Sequence, residues 1–202
     1  MLKHIIHFIY RSLFYKDRII GILKTKMMLI YNGVNYQDYR CYGVPCISVD
    51  KGNTMSIGSH FSMNNGMSAN RLGYNTPCVF RCGMGNIIIG DNVGMSQTVL
   101  IASGADITIG NNVKLGSGVK VYTSNFHSLY YKERRDWEID KLHRDSSHIV
   151  IEDDCFIGAG SIILKGVTIG ARSIVGAGSV VTKSIPSDEI WAGNPAKFIR
   201  KL

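Results

Sequence analysis

The sequence predicts an all-β solenoid, specifically a parallel β-helix, because branched aliphatic residues recur at every sixth position in its C-terminal part. A period of six fits neither an amphipathic α-helix nor an alternating strand, whereas it fits a prism in which every turn repeats the same corner. Glycines such as Gly158 and Gly170 follow the aliphatics, where a tight corner leaves little room for a Cβ atom. The repeating positions are Ile151, Ile157, Ile163, Ile169, Val175 and Val181.

A break in the same periodicity predicts an insertion in the prism. We expect the upstream repeat to continue the core column, and one more step of six would reach Asn125, where the pattern fails before it resumes at Ile151. The sequence therefore predicts a loop near 123–148 that leaves an otherwise continuous solenoid, and such insertions usually lie on the functional face. The upstream positions are Ile89, Met95, Ile101, Ile107, Val113 and Val119.

The N-terminal part has a different character. Residues 1–40 are predicted to be a basic amphipathic helical segment, and 41–202 to be the β-helix domain, with a C-terminal tail at 183–202. Apolar residues within 1–30 are interrupted by Lys and Arg, so no run reaches the ~18–20 residues of a membrane span, and no signal-peptide cleavage site is evident. Two interpretations stay open and are compatible: the helix caps the prism or a neighbouring subunit, or it lies on an anionic membrane surface.

Charge and cysteine content narrow the classes of partner and compartment. The net charge of +8 suits nucleic acid, anionic lipid or a phosphorylated small molecule, but no nucleic-acid-binding motif accompanies it, so no nucleic-acid partner is predicted. The five cysteines are an odd number without a secretory signal, which predicts reduced thiols and a cytoplasmic location, at the inner membrane face if the helix binds lipid. The Cys78-x3-Cys82 spacing is not a zinc knuckle, and no metal site is expected.

Three sequence features together resemble the left-handed β-helix acyltransferases. They are the six-residue repeat, the inserted loop that begins at Asn-Phe-His (125–127), and the ending V-V-T-K-S-I-P (180–186) with A-G-N-P-A (192–196). The branch that this chain resembles contains galactoside, maltose and nodulation-type O-acetyltransferases, including enzymes that decorate bacterial surface polysaccharides. The resemblance covers residues 85–202 well. It implies a left-handed β-helix, a homotrimer with active sites between subunits, and acetyl-CoA-dependent transfer to a sugar hydroxyl.

The same resemblance assigns the catalytic base to His127, at the start of the inserted loop. A neutral imidazole has a suitable pKa for removing a proton from a hydroxyl as it attacks the acetyl thioester. Transfer is then direct, and no cysteine is needed as a nucleophile. His143 and His148 lie on or beside the same loop and compete for this assignment.

The coenzyme site is carried over by position. Two alanines allow the pantetheine arm to approach the backbone, a threonine–lysine pair lies near the adenine and phosphate end, and two cations in the tail meet the 3′-phosphate. A phenylalanine stands where relatives of the galactoside type have tryptophan beside the pantetheine. These expected acetyl-CoA contacts are Phe156, Ala159, Ala177, Thr182, Lys183, Lys197 and Arg200.

The acceptor side departs from the family. Relatives hold the acceptor with an asparagine one coil before the histidine, and Thr98 stands there in this chain, beside Ser96. Together with Asn125 and Trp137, which either stacks on a sugar or anchors the loop, these form the expected acceptor site. The acceptor is a sugar, a nucleotide sugar or a lipid-linked saccharide. Two alternatives remain, an N-acetyltransferase acting on an amino sugar and a non-catalytic trimeric scaffold; a γ-type carbonic anhydrase would need three zinc-binding histidines on separate coils.

Overall fold

Parallel strands stack into a three-sided prism, which confirms the predicted left-handed β-helix. The computed structural model describes residues 3, 19–67, 69–70 and 74–202. The first sheet contains β1 (Asn35–Tyr36), β4 (Met55–Ile57), β7 (Ile87–Ile89), β10 (Ile107–Ile109), β13 (Ile149–Ile151) and β16 (Thr168–Ile169). The second contains β2 (Tyr39–Tyr42), β5 (Phe61–Asn64), β8 (Gly94–Ser96), β11 (Lys114–Leu115), β14 (Phe156–Ile157), β17 (Ile174–Val175), β19 (Glu189–Ala192) and β20 (Lys197–Lys201). The third contains β3 (Cys46–Val49), β6 (Val79–Gly83), β9 (Val99–Ser103), β12 (Lys120–Tyr122), β15 (Ile162–Leu164) and β18 (Val180–Val181).

The predicted aliphatic column forms the core of the C-terminal coils. Each turn adds one strand to each sheet, so Ile151 lies in register with Ile169, and Ile163 with Val181. All six predicted aliphatics of this part are fully buried. Because burial of each such side chain contributes about 1.5–3 kcal/mol, the column contributes substantially to the stability of the prism.

The prediction for Ile101 was wrong. Leu100 occupies the core column beside Val121, and Ile101 faces outward and is half-buried. The difference arises at the preceding corner, where Gln97 adopts a left-handed backbone conformation with φ of 43°, two residues after Met95. Later corners place this conformation three residues after the core aliphatic, so the turn at Gln97 is one residue shorter. After the change of phase, the column of Ile151, Ile157 and Ile163 is continued by Ile109, Leu115 and Val121. The predicted Ile107, Val113 and Val119 are buried as well, but at another position of each coil.

Helix α1, over 19–31, packs across the N-terminal end of the prism. Leu29 is fully buried in the core cluster, and the hydroxyl of Thr25, also fully buried, donates to the carbonyl of Gly21. Asn32 joins the helix end to the first coil by accepting from the Val49 amide at 3.1 Å. The remainder of the predicted N-terminal helix, apart from Lys3, lies outside the described residues. Among the helices that the structure describes, none has the length and apolarity needed to cross a bilayer.

The C-terminal tail extends the second sheet. Strand β19 pairs in parallel with β17, and β20 folds back antiparallel onto β19. The amide of Ala196 donates to the carbonyl of Val180, and the Val180 amide donates to Gly193. These bonds tie the tail to the last strand of the third sheet as well.

The predicted insertion leaves the prism between β12 and β13. It contains a 3-10 turn at Glu133–Arg135 and a short helix, α2 (Trp137–Leu142). An antiparallel bridge between Ser124 and Ser146 closes its base. The carboxylate of Asp136 caps α2 by accepting from two backbone amides of its first turn, which satisfies donors that the helix itself leaves free.

Candidate active site

His127 forms a hydrogen-bonded pair with Asp140. Its Nδ1 atom lies 2.6 Å from Oδ2 of Asp140, which projects from α2. The other carboxylate oxygen accepts from the Ser128 amide at 2.7 Å. The histidine side chain is 62% exposed, whereas that of Asp140 is 7% exposed. The insertion therefore presents an imidazole to solvent on a shielded carboxylate.

The electrostatics of this pair define the role of each ring nitrogen. The contact with His127, followed by the amide of Ser128, holds the pKa of Asp140 below its usual range, so this side chain is a carboxylate at neutral pH. A carboxylate can only accept, so Nδ1 of a neutral imidazole carries the hydrogen and Nε2 keeps its lone pair. The arrangement can remove a proton from a hydroxyl placed at Nε2.

The periodicity of the sequence does not reveal Asp140, because the insertion interrupts the repeat. The available signal is local: Asp136 followed by Trp-Glu-Ile-Asp has the composition of a capped first helical turn with acidic residues. Predicting that helix from the sequence would have placed Asp140 on a helix of the same insertion as His127. Its contact with the imidazole is a tertiary feature.

The other loop histidines are engaged elsewhere. Nδ1 of His143 lies 3.1 Å from Glu133, which also accepts a hydrogen bond from the Ser128 hydroxyl. Nδ1 of His148 lies 3.3 Å from the Asp106 amide, at the base of the insertion. Neither contacts Asp140, so His127 is the loop histidine whose geometry fits a general base best.

Three residues expected at the pantetheine arm lie on neighbouring coils. Phe156 is half-exposed on the outer face of β14, and Ala159 follows at the corner between the second and third sheets. Ala177 is stacked one coil further, since the Gly178 amide donates to the carbonyl of Ala159 at 2.8 Å. Neither alanine amide has an acceptor within the described ranges. The corner thus offers two free backbone donors in line.

The cationic positions expected for acetyl-CoA lie near the C-terminal end of the prism. Thr182 and Lys183 are exposed directly after β18, and Lys197 and Arg200 are exposed on β20. The three basic side chains have no carboxylate within 4.0 Å among the residues that the structure describes. Because the tail is hydrogen-bonded to Val180 of β18, the lysine after β18 and the cations of β20 lie at the same end of the prism.

The expected acceptor residues are only partly brought together. The Asn125 amide donates to the carbonyl of Asp145, close to the base of the insertion, and Trp137 is 70% exposed at the start of α2. Ser96 lies on the second sheet and accepts from Asn64, and Thr98 is fully buried with its hydroxyl bonded to the Ser96 carbonyl. Within one chain, Ser96 and Thr98 therefore stand apart from His127.

The two halves of the expected site occupy different corners of one prism. The insertion leaves at the corner after the third sheet, whereas Ala159 and Ala177 lie at the corner before it. A three-residue strand such as β12 separates these corners by about 10 Å. The positions expected for the coenzyme and His127 of a single chain thus face different directions.

Three buried cysteine thiols are poorly suited to nucleophilic chemistry. Burial raises the pKa of Cys78 to about 12, and those of Cys82 and Cys155 to about 11. These side chains therefore remain thiols at neutral pH, and a thiol is a much weaker nucleophile than a thiolate. No set of three or more His, Cys, Asp or Glu side chains is grouped for metal binding within the described part of the chain.

Comparison with known proteins agrees with this architecture. The model of the hexapeptide repeat of succinyl-transferase matches residues 148–183. A putative acetyltransferase of Schizosaccharomyces pombe is 48% identical over 98 residues, which are 48% of this chain and 44% of that protein. The putative lipopolysaccharide biosynthesis O-acetyl transferase WbbJ of Escherichia coli is 29% identical over 90% of this chain and 88% of its own length.

Among solved structures, a hexapeptide-repeat acetyltransferase of Vibrio cholerae is 27% identical, with a TM-score of 0.54 over 95% of this chain and 90% of that one. The chain matches WbbJ and the Vibrio cholerae structure over most of their length. It spans only about half the length of other curated relatives that it matches. The similarities confirm the predicted resemblance to the hexapeptide-repeat acyltransferases.

Proposed function

We propose that this hexapeptide-repeat chain is an acetyl-CoA-dependent O-acetyltransferase that modifies a sugar hydroxyl. The observation that carries the proposal is the pair of His127 and Asp140, at 2.6 Å on the insertion of the prism. A solvent-facing imidazole with a fixed tautomer has the properties of a general base. Similarity to WbbJ over most of the chain supports surface polysaccharide biosynthesis as the pathway.

In the proposed reaction, Nε2 of His127 accepts the proton of the sugar hydroxyl as its oxygen attacks the thioester carbonyl. Asp140 stabilises the imidazolium that forms, because its carboxylate accepts from Nδ1. The tetrahedral intermediate collapses with cleavage of the carbon–sulfur bond, and the leaving thiolate takes the proton from Nε2. The sugar ester and CoA are the products, and no acyl-enzyme forms. The buried neutral thiols are consistent with direct transfer.

We place acetyl-CoA along the coils that carry Phe156, Ala159 and Ala177. The free amides of the alanines are donors for the carbonyl groups of pantetheine, and their small side chains leave the backbone accessible. The phosphates are assigned to Lys183, Lys197 and Arg200, with Thr182 beside them. Because these cations lack carboxylate partners in the described chain, a polyanionic coenzyme supplies the missing charge.

We propose a homotrimer in which each active site combines the base of one subunit with the donor groove of the next. Support comes from the separation of the two corners on one prism, which leaves His127 and Ala177 facing different directions. A neighbouring prism can present its donor corner to the insertion. Ser96 and Asn125 can also meet across such an interface, although they stand apart within one chain.

We also propose that α1 contributes to peripheral contact at the inner face of the membrane. The helix buries Leu29 in the prism and leaves Ile22, Leu23 and Met27 exposed on its outer side. Together with its lysines, this exposed apolar surface fits the interface of an anionic bilayer. A lipid-linked saccharide would meet the enzyme there. Unchanged vesicle binding after Leu23→Glu with Met27→Glu would contradict this placement.

Calorimetric titration with acetyl-CoA tests the donor assignment first. Wild-type protein is expected to bind in the micromolar range with about one site per subunit, and Lys183→Ala is expected to weaken binding severalfold through the loss of one charge-assisted contact. Lys51→Ala, at an exposed turn near the other end of the prism, is the matched control. Absence of binding to wild type would contradict the proposal.

An acceptor screen then compares wild type with His127→Ala. The panel contains hydroxyl sugars and amino sugars, because an amide product resists alkali and an ester does not. Exclusive formation of alkali-stable product would replace the proposal with N-acetylation. Full activity of His127→Ala would refute the assignment of the base.

A further inference from the structure

A cavity of about 410 Å³ lies between the insertion and the third sheet. Arg81 and Ile101 form its wall on the prism, and Phe126, Lys141 and Arg144 form its wall on the insertion. Its size falls within the range of small-molecule sites, roughly 300–1,000 Å³. The outward position of Ile101, which results from the shortened corner at Gln97, makes this residue part of the lining.

The cavity adjoins the proposed catalytic pair. Phe126 directly precedes His127, and Lys141 directly follows Asp140, so two of its lining residues flank the base and the carboxylate in the chain. Phe126 is fixed by an edge-to-face contact with Tyr122, at 5.5 Å between ring centroids. The neighbours in the chain of both members of the pair therefore line this cavity.

The charges that line the cavity are unbalanced. Both carboxylate oxygens of Asp50 accept from Arg81, at 2.5 and 2.7 Å, so this pair is nearly neutral. Lys141 and Arg144 have no carboxylate within 4.0 Å among the residues that the structure describes. Arg144 is half-buried, and its side chain contacts the sulfur of Met84 at 3.3 Å. A partly desolvated guanidinium without an anionic partner is electrostatically unfavourable.

Lys141 and Arg144 also lie between two neighbouring cavities. A second cavity, of about 560 Å³, is also lined by Met84, Lys141 and Arg144, and among the described residues Glu138 is the one acidic residue on its wall. An extended molecule that passes from one cavity to the other would meet both cations midway. Lys141 is exposed and Arg144 is half-buried, and both line concave walls, where a cation attracts an anion more strongly than it does on a flat surface.

We propose that the acceptor is an anionic saccharide, whose phosphoryl or carboxylate group is held by Lys141 and Arg144 while its hydroxyl faces His127. This assignment rests on the proposed acetyltransferase function and adds the charge of its substrate. Arg144 supplies a planar fork for two oxygens of the anion, and Lys141 supplies a point charge. A neutral sugar would leave both cations unpaired.

Charge-matched acceptors test the inference. Acetyl transfer is measured for galactose, galacturonate, galactose 1-phosphate and UDP-galactose, with wild type, Lys141→Gln, Arg144→Gln and the double variant. Wild type is expected to use at least one anionic acceptor with about hundredfold higher kcat/KM than galactose, and each single variant to reduce that ratio by about tenfold, as expected for loss of one of two charge-assisted contacts. Lys132→Gln removes an exposed cation of the same insertion outside both cavities and is expected to leave the ratio unchanged.

The carboxylate and phosphoryl arms identify the anion. Preference for galacturonate indicates a uronate acceptor, and preference for the phosphorylated sugars indicates a sugar phosphate or nucleotide sugar. Equal use of neutral and anionic sugars, or a ratio unaffected by the double variant, overturns the inference. If no acceptor is acetylated, calorimetric binding of the same anions decides, and failure of all of them to bind wild type at millimolar concentration also overturns it.

Acetyl-CoA binding separates this inference from the proposed function. Retained acetyl-CoA binding and His127-dependent transfer, together with indifference to acceptor charge, would remove the anionic acceptor alone. Loss of acetyl-CoA binding in wild type would remove the acetyltransferase itself. Unchanged acetyl-CoA affinity in Lys141→Gln and Arg144→Gln shows that the variants are folded and that the donor groove is intact.

Discussion

Substitution of Asp140 by asparagine isolates the tautomer of His127. One oxygen of Asp140 accepts from the Ser128 amide, and the other accepts from Nδ1. The Ser128 amide can only donate, so an asparagine side chain must turn its carbonyl oxygen to Ser128 and its NH2 group to the imidazole. Nδ1 must then accept, and the hydrogen moves to Nε2. The variant therefore keeps the shape of the site and removes the basic lone pair from the reacting side.

The expected effect is a fall in kcat of about 10²–10⁴-fold, the usual contribution of general-base catalysis. The KM for acetyl-CoA is expected to stay within about twofold, because the donor corner is not touched. Asp136→Asn is the matched control: it removes the same charge from the same helix, and asparagine is an equally good N-cap residue. The control is expected to retain nearly full activity.

Single-turnover acetyl transfer, followed by release of CoA, measures the chemical step directly. The double variant Asp140→Asn with His127→Ala should be no slower than His127→Ala alone, because Asp140 acts through the imidazole. A kcat of Asp140→Asn above about half of the wild-type value would refute the role of Asp140 in setting the tautomer of His127. It is also refuted if Asp136→Asn and Asp140→Asn lose the same activity, since that outcome would reflect charge or helix stability rather than tautomer.

Three further predictions concern the fold and its pH dependence. Gly158→Ala is expected to lower the free energy of unfolding by about 1–3 kcal/mol in chemical denaturation, because its Cβ would lie 2.4 Å from a backbone nitrogen of the next coil. In the control Gly178→Ala, the Cβ meets no atom within 4 Å, and the variant carries only the strain of its positive φ. Equal losses of stability in the two variants would contradict close stacking of the coils at Gly158. Ile163→Ala should cost about 2–5 kcal/mol, while its outward neighbour Ile162→Ala should cost less than about 1 kcal/mol, and an inverted order would place the column wrongly. Folding lowers the pKa of Asp140, so the ionised carboxylate stabilises the folded protein above its unfolded pKa, and this contribution is lost as pH falls through the lower folded pKa. The Tm of wild type should therefore fall more steeply in acid than the Tm of Asp140→Asn. Parallel curves of Tm against pH would refute this prediction.

The sequence determines the prism because the constraint is local and repeated. Aliphatics at Ile151, Ile157 and Ile163 all enter the core, since each corner between them has the same length. Ile101 fails for the same reason: the corner at Gln97 is one residue shorter, and no residue type in that stretch marks the shortening. A glutamine at φ of 43° is an unusual choice for a corner and gives no warning in the sequence.

The candidate site could be predicted only where it depends on the repeat. His127 was predicted because it stands at the break in the periodicity and at the family's histidine position, and Ala159 and Ala177 were carried over from the family resemblance. Asp140 depends on how the insertion folds back on itself, which periodicity does not describe. The cationic cavity joins Arg81 to Arg144 across more than sixty positions of the chain, so only the tertiary structure brings these residues together.

The division of the site between two corners leads to a complementation experiment. If the base of one subunit serves the donor groove of its neighbour, His127→Ala and Ala177→Trp damage opposite sides of each interface. Ala177 is exposed, so a bulky residue there blocks the groove while the core is left intact. Each homotrimer should be inactive, yet every mixed trimer should have an intact base–groove pair at about a third of its interfaces, because only one interface in the ring joins an undamaged base to an undamaged groove. Co-expressed variants isolated through two different tags, which removes both homotrimers, are therefore expected to recover about a third of wild-type activity. Their separately purified forms, combined without subunit exchange, are expected to recover none. Inactive mixed trimers that still bind acetyl-CoA would show that base and groove belong to one subunit, and the insertion would then have to reach across the third sheet of its own prism.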